Sequence, residues 1–274
     1  MELRQLADQV KQIWEKRERY ELAPHRYLEV SSIGSIRKLF MDLGEHWKSR
    51  RKEISYVDLG CGNCSGALEF SDFLRKTTKL QVKTVGIDGS AKCGVVCKDR
   101  GVEFIQLDLG SERIPLQDQQ VFTLFETIEH VFNTDHLLRS IRKSISDDGL
   151  LLITTLNVVC WKNRILVPLG IQPFNTEVST EKLSYGFRFG RLKKRMDMWK
   201  PAGHIRPFTL YSLCDMLEDN GFTIVMSCGL ENWRAFKFLE VIAKNMCTGI
   251  LVVARPTRSA RQIRSFTAQY DNSH

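Results

Sequence analysis

The chain has 274 residues, 43% of them hydrophobic, and a formal net charge of +8. That length and apolar share suit one large domain, or a domain with an added cap, and exclude a chain too polar to bury a core. No run approaches the roughly 20 apolar residues of a membrane span, and the charged start MELRQLADQVKQIWEKRERY lacks the apolar centre of a signal peptide, so a cytoplasmic protein with its eight cysteines reduced is expected.

Residues 2–19 read as a charged amphipathic helix, with Leu3, Leu6, Val10 and Ile13 at helical spacing. SIRKLFMDLGEHW (35–47) reads as a second, and residues 1–50 as a helical cap. The pattern then alternates. ISYVDLG is a strand, SGALEFSDFLRK a helix, VKTVGIDGS a strand, AKCGVVCKDRG a helix closed by Gly101, and VEFIQLDL a strand. QVFTLFET is a strand, TDHLLRSIRKSISDDG a helix and LLLITTL a strand. Apolar strands alternating with helices imply a parallel sheet covered on both faces, in one domain over 51–256. Residues 157–206 break that rhythm and read as an insertion, a lid or substrate loop. TLYSLCDMLEDNG then reads as a helix with Thr209 as N-cap, FTIVMSC as a strand, WRAFKFLEVIAKN as a helix and GILVVARP as the last strand. Residues 257–274 read as a flexible basic tail.

Cys160, Cys228 and Cys247 lie in apolar runs and read as small core residues. Cys61/Cys64 and Cys93/Cys97 are close pairs, but zinc is the secondary reading, because Cys61 and Cys64 fall in a glycine loop whose backbone has another use. The basic runs at 48–52, 191–195 and 255–264 read as solvated surface. They also suit a polyanionic partner, whether nucleic acid, a phosphorylated glycan or an anionic membrane face.

YVDLGCGNCSGALEF places a glycine turn between a strand and a helix, so backbone N–H groups converge on a helix N-terminus where a polar ligand head can bind. A dinucleotide fingerprint needs glycine at 65, where Ser65 stands. Asp88, ending the next strand, suits paired ribose hydroxyls, and Asp108, ending the third, suits an exocyclic amine such as that of adenine. YVDLGCGNCSG, GIDGS, FIQLDLG and LFETIEHV, in this order and spacing, resemble the class I S-adenosylmethionine-dependent methyltransferases over roughly residues 54–255. The resemblance implies an α/β, Rossmann-like, seven-stranded sheet, mostly parallel with the last strand antiparallel, helices on both faces and a long insertion after strand five. It implies that Asp58, Gly60 and Gly62 hold the methionine end of the cofactor, Asp88 the ribose, and Asp108 with Leu109 the adenine. Asn63-Cys64 stands where many members carry another glycine. A hydride-transferring Rossmann enzyme is the competing reading. Asp58 argues against it, since an acid beside a pyrophosphate is unfavourable whereas a sulfonium and ammonium ligand attracts one.

Glu126, Glu129 and His130 stand at i, i+3 and i+4, a spacing that shares one face of a helical turn. Two carboxylates and an imidazole there can bind a hard divalent ion or supply a general base. An acidic first turn favoured by the helix dipole is the plainer alternative. With His204 downstream, this E-x-x-E-H pattern resembles two O-methyltransferase groups, one acting on catechol-type quinone precursors and one on small-RNA 2′-hydroxyls. That resemblance implies Mg2+ or Mn2+ held by Glu126, Glu129, His130 and His204, with Glu126 and His130 catalytic. His204 has a simpler reading as a packing residue at the next helix start. TLNVVCWKNRILVPLGIQPFNTEVS with GHIRPFT also resembles a group of bacterial and archaeal methyltransferases, which implies that Asn157 and Arg164 shape the substrate side. WKNRILVPLG, apolar with two cations, suits an acyl or membrane-surface acceptor, or a lid helix packed on the core. The expected activity is in-line methyl transfer from S-adenosylmethionine to a hydroxyl of a small-molecule, glycan or lipid acceptor. An RNA-directed methyltransferase and a cofactor-binding regulatory protein without turnover are the alternatives.

Overall fold

The computed structural model describes residues 33–257, Phe189 excepted. The helix expected at 2–19 and the basic tail beyond Thr257 lie outside the described residues.

The first described helix, α1 (Ile33–Lys48), buries Ile36, Phe40 and Trp47 on one stripe. It leads into β1 (Glu53–Leu59), α2 (Ser65–Thr78), β2 (Gln81–Asp88), α3 (Ala91–Asp99), β3 (Glu103–Gln106), β4 (Gln119–Phe125), α4 (Thr134–Ser144) and β5 (Ile145–Leu156). The insertion holds α5 (Trp161–Leu166) and α6 (Gly190–Asp197). Then come α7 (Leu210–Asp219), β6 (Phe222–Leu230), the short α8 (Leu239–Ile242) and β7 (Gly249–Pro256).

The strands form one seven-stranded sheet in the order β3-β2-β1-β4-β5-β7-β6. β1 to β5 pair in parallel, and β7 runs antiparallel to both β5 and β6, as expected for the last strand. The ends of β1 and β2 are buried residue after residue because helices cover both faces. On one face, Phe40 and Trp47 of α1 pack with Phe70, Phe73 and Leu74 of α2. On the other, Leu137, Leu138 and Ile141 of α4 pack with Leu213 and Leu217 of α7. Each such fully buried side chain contributes about 1.5–3 kcal/mol. Chain order reverses between β1 and β4, since β2 lies on one side of β1 and β4 on the other. The crevice outside the carboxyl ends of those two strands is where open α/β sheets bind ligands.

Three elements differ from the sequence expectation. α4 stops at Ser144, not Gly149, because Ile145 is buried and pairs with Gln119 at the start of β5. Gly149 makes that irregular start possible: a Cβ there would lie 2.7 Å from Ile145 Cγ1 and 2.9 Å from the Gln120 carbonyl oxygen. β3 ends at Gln106, so Asp108 stands in the turn beyond it rather than on the strand. WRAFKFLEVIAKN is not one helix but two 3₁₀ turns around α8. Its rings do not share one helical face. Instead Phe236 stacks on Trp161 of α5 with centroids 4.3 Å apart, and the Glu240 carboxylate accepts from the Glu231 N–H.

The insertion carries a small apolar cluster of its own, Leu166, Ile171 and Phe187 with Phe174 and Met196 against it. Asn157, expected to shape the substrate side, is fully buried instead. Its amide donates to the Asn245 and Cys247 carbonyls, both at 2.9 Å, and its Oδ1 accepts from the Val159 N–H. It anchors the start of the insertion to the loop before β7, and every side-chain polar atom is spent there. Arg164 is exposed and donates through Nε to the Val159 carbonyl. No described helix is long and apolar enough to cross a membrane.

Candidate active site

β1 ends at Leu59 and the chain turns at once. The N–H groups of Gly60 and Cys61 donate to the Ile87 carbonyl at 2.7 and 3.1 Å, and that of Gly62 donates to Asp88 Oδ2 at 3.0 Å. Gly60 has φ 75°, and a Cβ there would lie 2.4 Å from Thr127 Oγ1, so no side chain fits. Gly62 has φ 51° and open space where its Cβ would be, which lets a ligand come against the backbone. Cys64, also left-handed at φ 60°, caps α2 without a side-chain hydrogen bond.

The cysteines under this loop differ from expectation. Cys64 and Cys97 form a disulfide, tying the loop to α3, where reduced thiols were expected. Cys61 Sγ lies 4.0 Å from Cys97 Sγ. The cluster is buried, and β2 packs closely on it: a Cβ on Gly86 would sit 2.8 and 2.9 Å from the Cys61 and Cys64 sulfurs. Burial pushes the Cys61 thiol up, with Asp58 and Asp88 adding to the effect. With two sulfurs bonded to each other and the third held as a thiol, the group offers no thiolate set for zinc. Cys160, Cys228 and Cys247 are buried and outside the disulfide, as expected of small core residues, and Cys228 lies in the apolar cluster of α1 and α2.

Two buried acids face the crevice. Asp58 accepts from Thr123 Oγ1 at 2.6 Å, and Thr123 shares a 2.9 Å hydrogen bond with the Tyr56 hydroxyl. Burial pushes the Asp58 carboxyl up to about 7 despite the Thr123 bond, and the neighbouring Asp88 charge adds to the rise. Asp88 accepts from the Gly62 and Ser90 N–H groups at 3.0 and 2.8 Å, which offsets part of its own upward shift from burial. Each oxygen keeps lone-pair capacity for a further donor. Such a pair is short of positive charge, and a ligand bringing an ammonium and hydroxyl donors supplies what it lacks. Asp108 is exposed, with Oδ1 on the Gly110 N–H and Oδ2 on the Ser111 hydroxyl. The Leu109 side chain is buried in the core, leaving its backbone as the part that can meet a ligand.

At the end of β4, Glu126 has φ 49°, and a single 3₁₀ turn, Ile128–His130, follows. The left-handed residue interrupts the helical turn that the i, i+3, i+4 spacing suggested. Glu129 is 2% exposed; its Oε2 accepts from Thr155 Oγ1 at 2.9 Å, and Oε1 is buried with no hydrogen-bond partner among the described residues. Burial holds its carboxyl well above the usual range, and the Glu126 charge raises it further. The Glu129 carbonyl accepts from the Ile205 and Arg206 N–H groups, both at 3.0 Å, which draws the end of the insertion onto the turn. Ligand atoms of Glu129, His130 and His204 thereby lie within 4.8 Å of one another. Glu126 is not in that group, although its charge is felt there. His130 Nδ1 lies 3.0 Å from the Gly203 carbonyl, which as an acceptor puts the ring's lone pair on Nε2. Glu177 gathers the N–H groups of Ala202, Gly203 and His204 on its carboxylate and stands 3.3 Å from His204 Nδ1.

Compared with known proteins, residues 7–227 match the methyltransferase-domain family. The chain belongs to that family. This methyltransferase has the fold of the S-adenosylmethionine-dependent class. A solved methyltransferase of that class from Mesorhizobium loti is 17% identical, covers 83% of this chain and 98% of its own, and has a TM-score of 0.50. One from Clostridium acetobutylicum is 12% identical, covers 81% and 92%, and also scores 0.50. At such identities the likeness is one of fold. No curated protein matches. S-adenosylmethionine fits the observed cradle: Gly62 leaves the backbone open, and Asp58 and Asp88 lack a cation.

Sequence reasoning passed over Thr123, Thr155 and Glu177. The first two were legible as polar residues in apolar strand cores, where a hydroxyl needs a partner. Glu177 lies in irregular chain and carries no such signal.

Proposed function

We propose that this enzyme transfers the methyl group of S-adenosylmethionine to a hydroxyl oxygen, assisted by a divalent cation at Glu129, His130 and His204. The observation that carries the proposal is the convergence of those three side chains, with the buried Glu129 Oε1 lacking a partner. Burial disfavours the ionised form of that carboxylate, and a cation beside it would offset the cost. One oxygen and two imidazole donors suit Mn2+ better than Mg2+, which prefers oxygen throughout. A bound cation would make an acceptor hydroxyl easier to deprotonate.

The chain's own residues do the rest. Thr155 aims Glu129, the Gly203 carbonyl sets the His130 tautomer, and Glu177 holds the 202–204 backbone. Asp58 and Asp88 anchor the cofactor so that methyl and sulfur align with the acceptor. A second reading keeps the same residues without a metal. With Nδ1 donating to Gly203, His130 takes the acceptor proton on Nε2 as a general base.

Mn2+ titration by calorimetry separates the two. The metal reading expects stoichiometric binding that His204→Ala weakens by at least tenfold, with the cofactor affinity of that variant unchanged. Absence of Mn2+ binding, with turnover that survives chelation yet needs His130, leaves the general-base reading.

A further inference from the structure

The insertion begins with an exposed apolar ridge. Ile165, Val167 and Leu169, along α5 and the turn after it, face solvent. Beside it lies the segment between β6 and β7, joined through the stack of Phe236 on Trp161 and the edge contact of Trp161 with Trp233 at 5.7 Å. That segment exposes Phe238, Val241 and Ile242, the last two at 79% and 71% of their surface. Ile165 follows Trp161 by one helical turn, so the ridge and the aromatic cluster share a side of α5. Exposed aliphatic residues at this density mark an interaction surface rather than scattered surface leucines and valines.

Within the two stretches that form this face, the exposed charges have one sign. Lys162 sits 4.8 Å above the Trp233 ring, and Arg164, Arg234, Lys237 and Lys244 are exposed nearby in sequence. Residues 157–171 contain no acid, and the two in 231–247, Glu231 and Glu240, are buried, Glu240 against Lys237. Aliphatic side chains, a tryptophan at the rim and a cationic border are what the interface of an anionic bilayer receives. A nucleic acid would use the rings for stacking and the cations for phosphate, but has no use for five exposed aliphatic side chains.

We propose that this face docks the enzyme on an anionic phospholipid surface. α5 starts five residues after Leu156, the end of β5, whose Thr155 holds Glu129. The docking face therefore adjoins the acceptor end of the sheet. The proposal stands apart from the chemistry of methyl transfer, because docking is measurable without turnover.

The test is co-sedimentation of the full chain with vesicles of phosphatidylcholine alone and of phosphatidylcholine mixed with phosphatidylglycerol. At least tenfold tighter partitioning onto the anionic vesicles is expected, falling with added salt. Ile165→Asp with Val241→Asp should lower it tenfold or more, and Arg234→Glu by roughly fivefold or more, the scale of one cation near such a surface. Calorimetry should find S-adenosylmethionine affinity unchanged in these variants, which shows that they fold. Equal partitioning onto both vesicles overturns the proposal, as does a double variant that still binds like the wild type. So does a concentration-dependent dimer, or binding of random-sequence RNA, that the same variants abolish while vesicle binding is absent.

Discussion

Asp58→Asn should make the free protein more stable at pH 8 while weakening the cofactor. Burial raises the Asp58 carboxyl from 3.8 to about 7. Every tenfold gain in proton affinity corresponds to about 1.4 kcal/mol, so the ionised side chain is disfavoured by up to about 4 kcal/mol in the fold. Between roughly pH 4 and pH 7 the folded chain carries a proton that the unfolded chain has released. The stability linked to this group is thus complete below the unfolded value and is lost as pH rises through 7. Asparagine stays neutral, keeps an oxygen for the Thr123 hydroxyl, and escapes that loss. After allowance for its less suitable amide, a gain of about 1–3 kcal/mol is expected at pH 8, and almost none at pH 5. Scanning calorimetry should record a rise of about 2–4 °C for each kcal/mol. S-adenosylmethionine affinity should fall at least tenfold at pH 8, because the charge that attracts the ligand is gone. In the wild type, binding should release about one proton near pH 6 and weaken as pH drops below 7; the variant should do neither. An equal change in melting temperature at both pH values would refute the electrostatic account. So would undiminished cofactor affinity in the variant.

Asp88→Ala should weaken S-adenosylmethionine by about 1.5–3 kcal/mol, the range of hydrogen bonds to a charged group, and calorimetry on the folded variant checks it. Residues 157–206 should exchange amide hydrogens faster than β5 in the free protein and slow when cofactor and acceptor are bound, since among the described residues their own apolar cluster is small, Leu166, Ile171 and Phe187 with Phe174 and Met196 against it. Full protection in the free protein would make them part of the core. His130→Ala should abolish turnover in a labelled-methyl assay and leave cofactor binding within twofold. Glu126→Ala should reduce turnover less, as its carboxylate stands outside the three-residue cluster.

The sheet was legible because its strands are unbroken apolar runs spaced by helices, a pattern that only a doubly covered parallel sheet explains. The glycine loop was legible because Gly60 and Gly62 are required by backbone angle and contact, which sequence registers directly. Asp58 and Asp88 stand near the ends of β1 and β2, as their motifs placed them, while their roles toward the cofactor came with the family resemblance. What failed was whatever depended on contacts between distant segments. The E-x-x-E-H spacing implied one helical turn, yet Glu126 takes a left-handed angle that breaks the turn. Cys64 and Cys97 meet because β2 and α3 carry them together, over a separation of 33 residues that no local pattern encodes. The resemblance of the insertion to other methyltransferases implied that Asn157 shapes the substrate side, but the 243–248 loop claims its side chain. The helix expected at 233–245 gave way to ring stacking with Trp161, a tertiary contact that outweighs helical propensity over so short a stretch.

The two halves of the crevice share one electrostatic design. Asp58 and Glu129 are both carboxyls buried too deeply to ionise comfortably, each beside a second acid and each held by a threonine hydroxyl. Neither gains stability for the fold in its charged form, so neither placement is explained by folding. Each becomes favourable only when positive charge arrives: the ammonium and sulfonium of the cofactor at one end and, on our proposal, a divalent cation at the other. The acids therefore act as selectors, since a neutral or anionic ligand would leave them as costly as before. A dinucleotide, with its pyrophosphate at the Gly60–Gly62 turn, would raise that cost rather than relieve it. On our proposal, positive charge arriving at either end would also lower the proton affinity of the acid there, Asp58 for the cofactor and Glu129 for the cation.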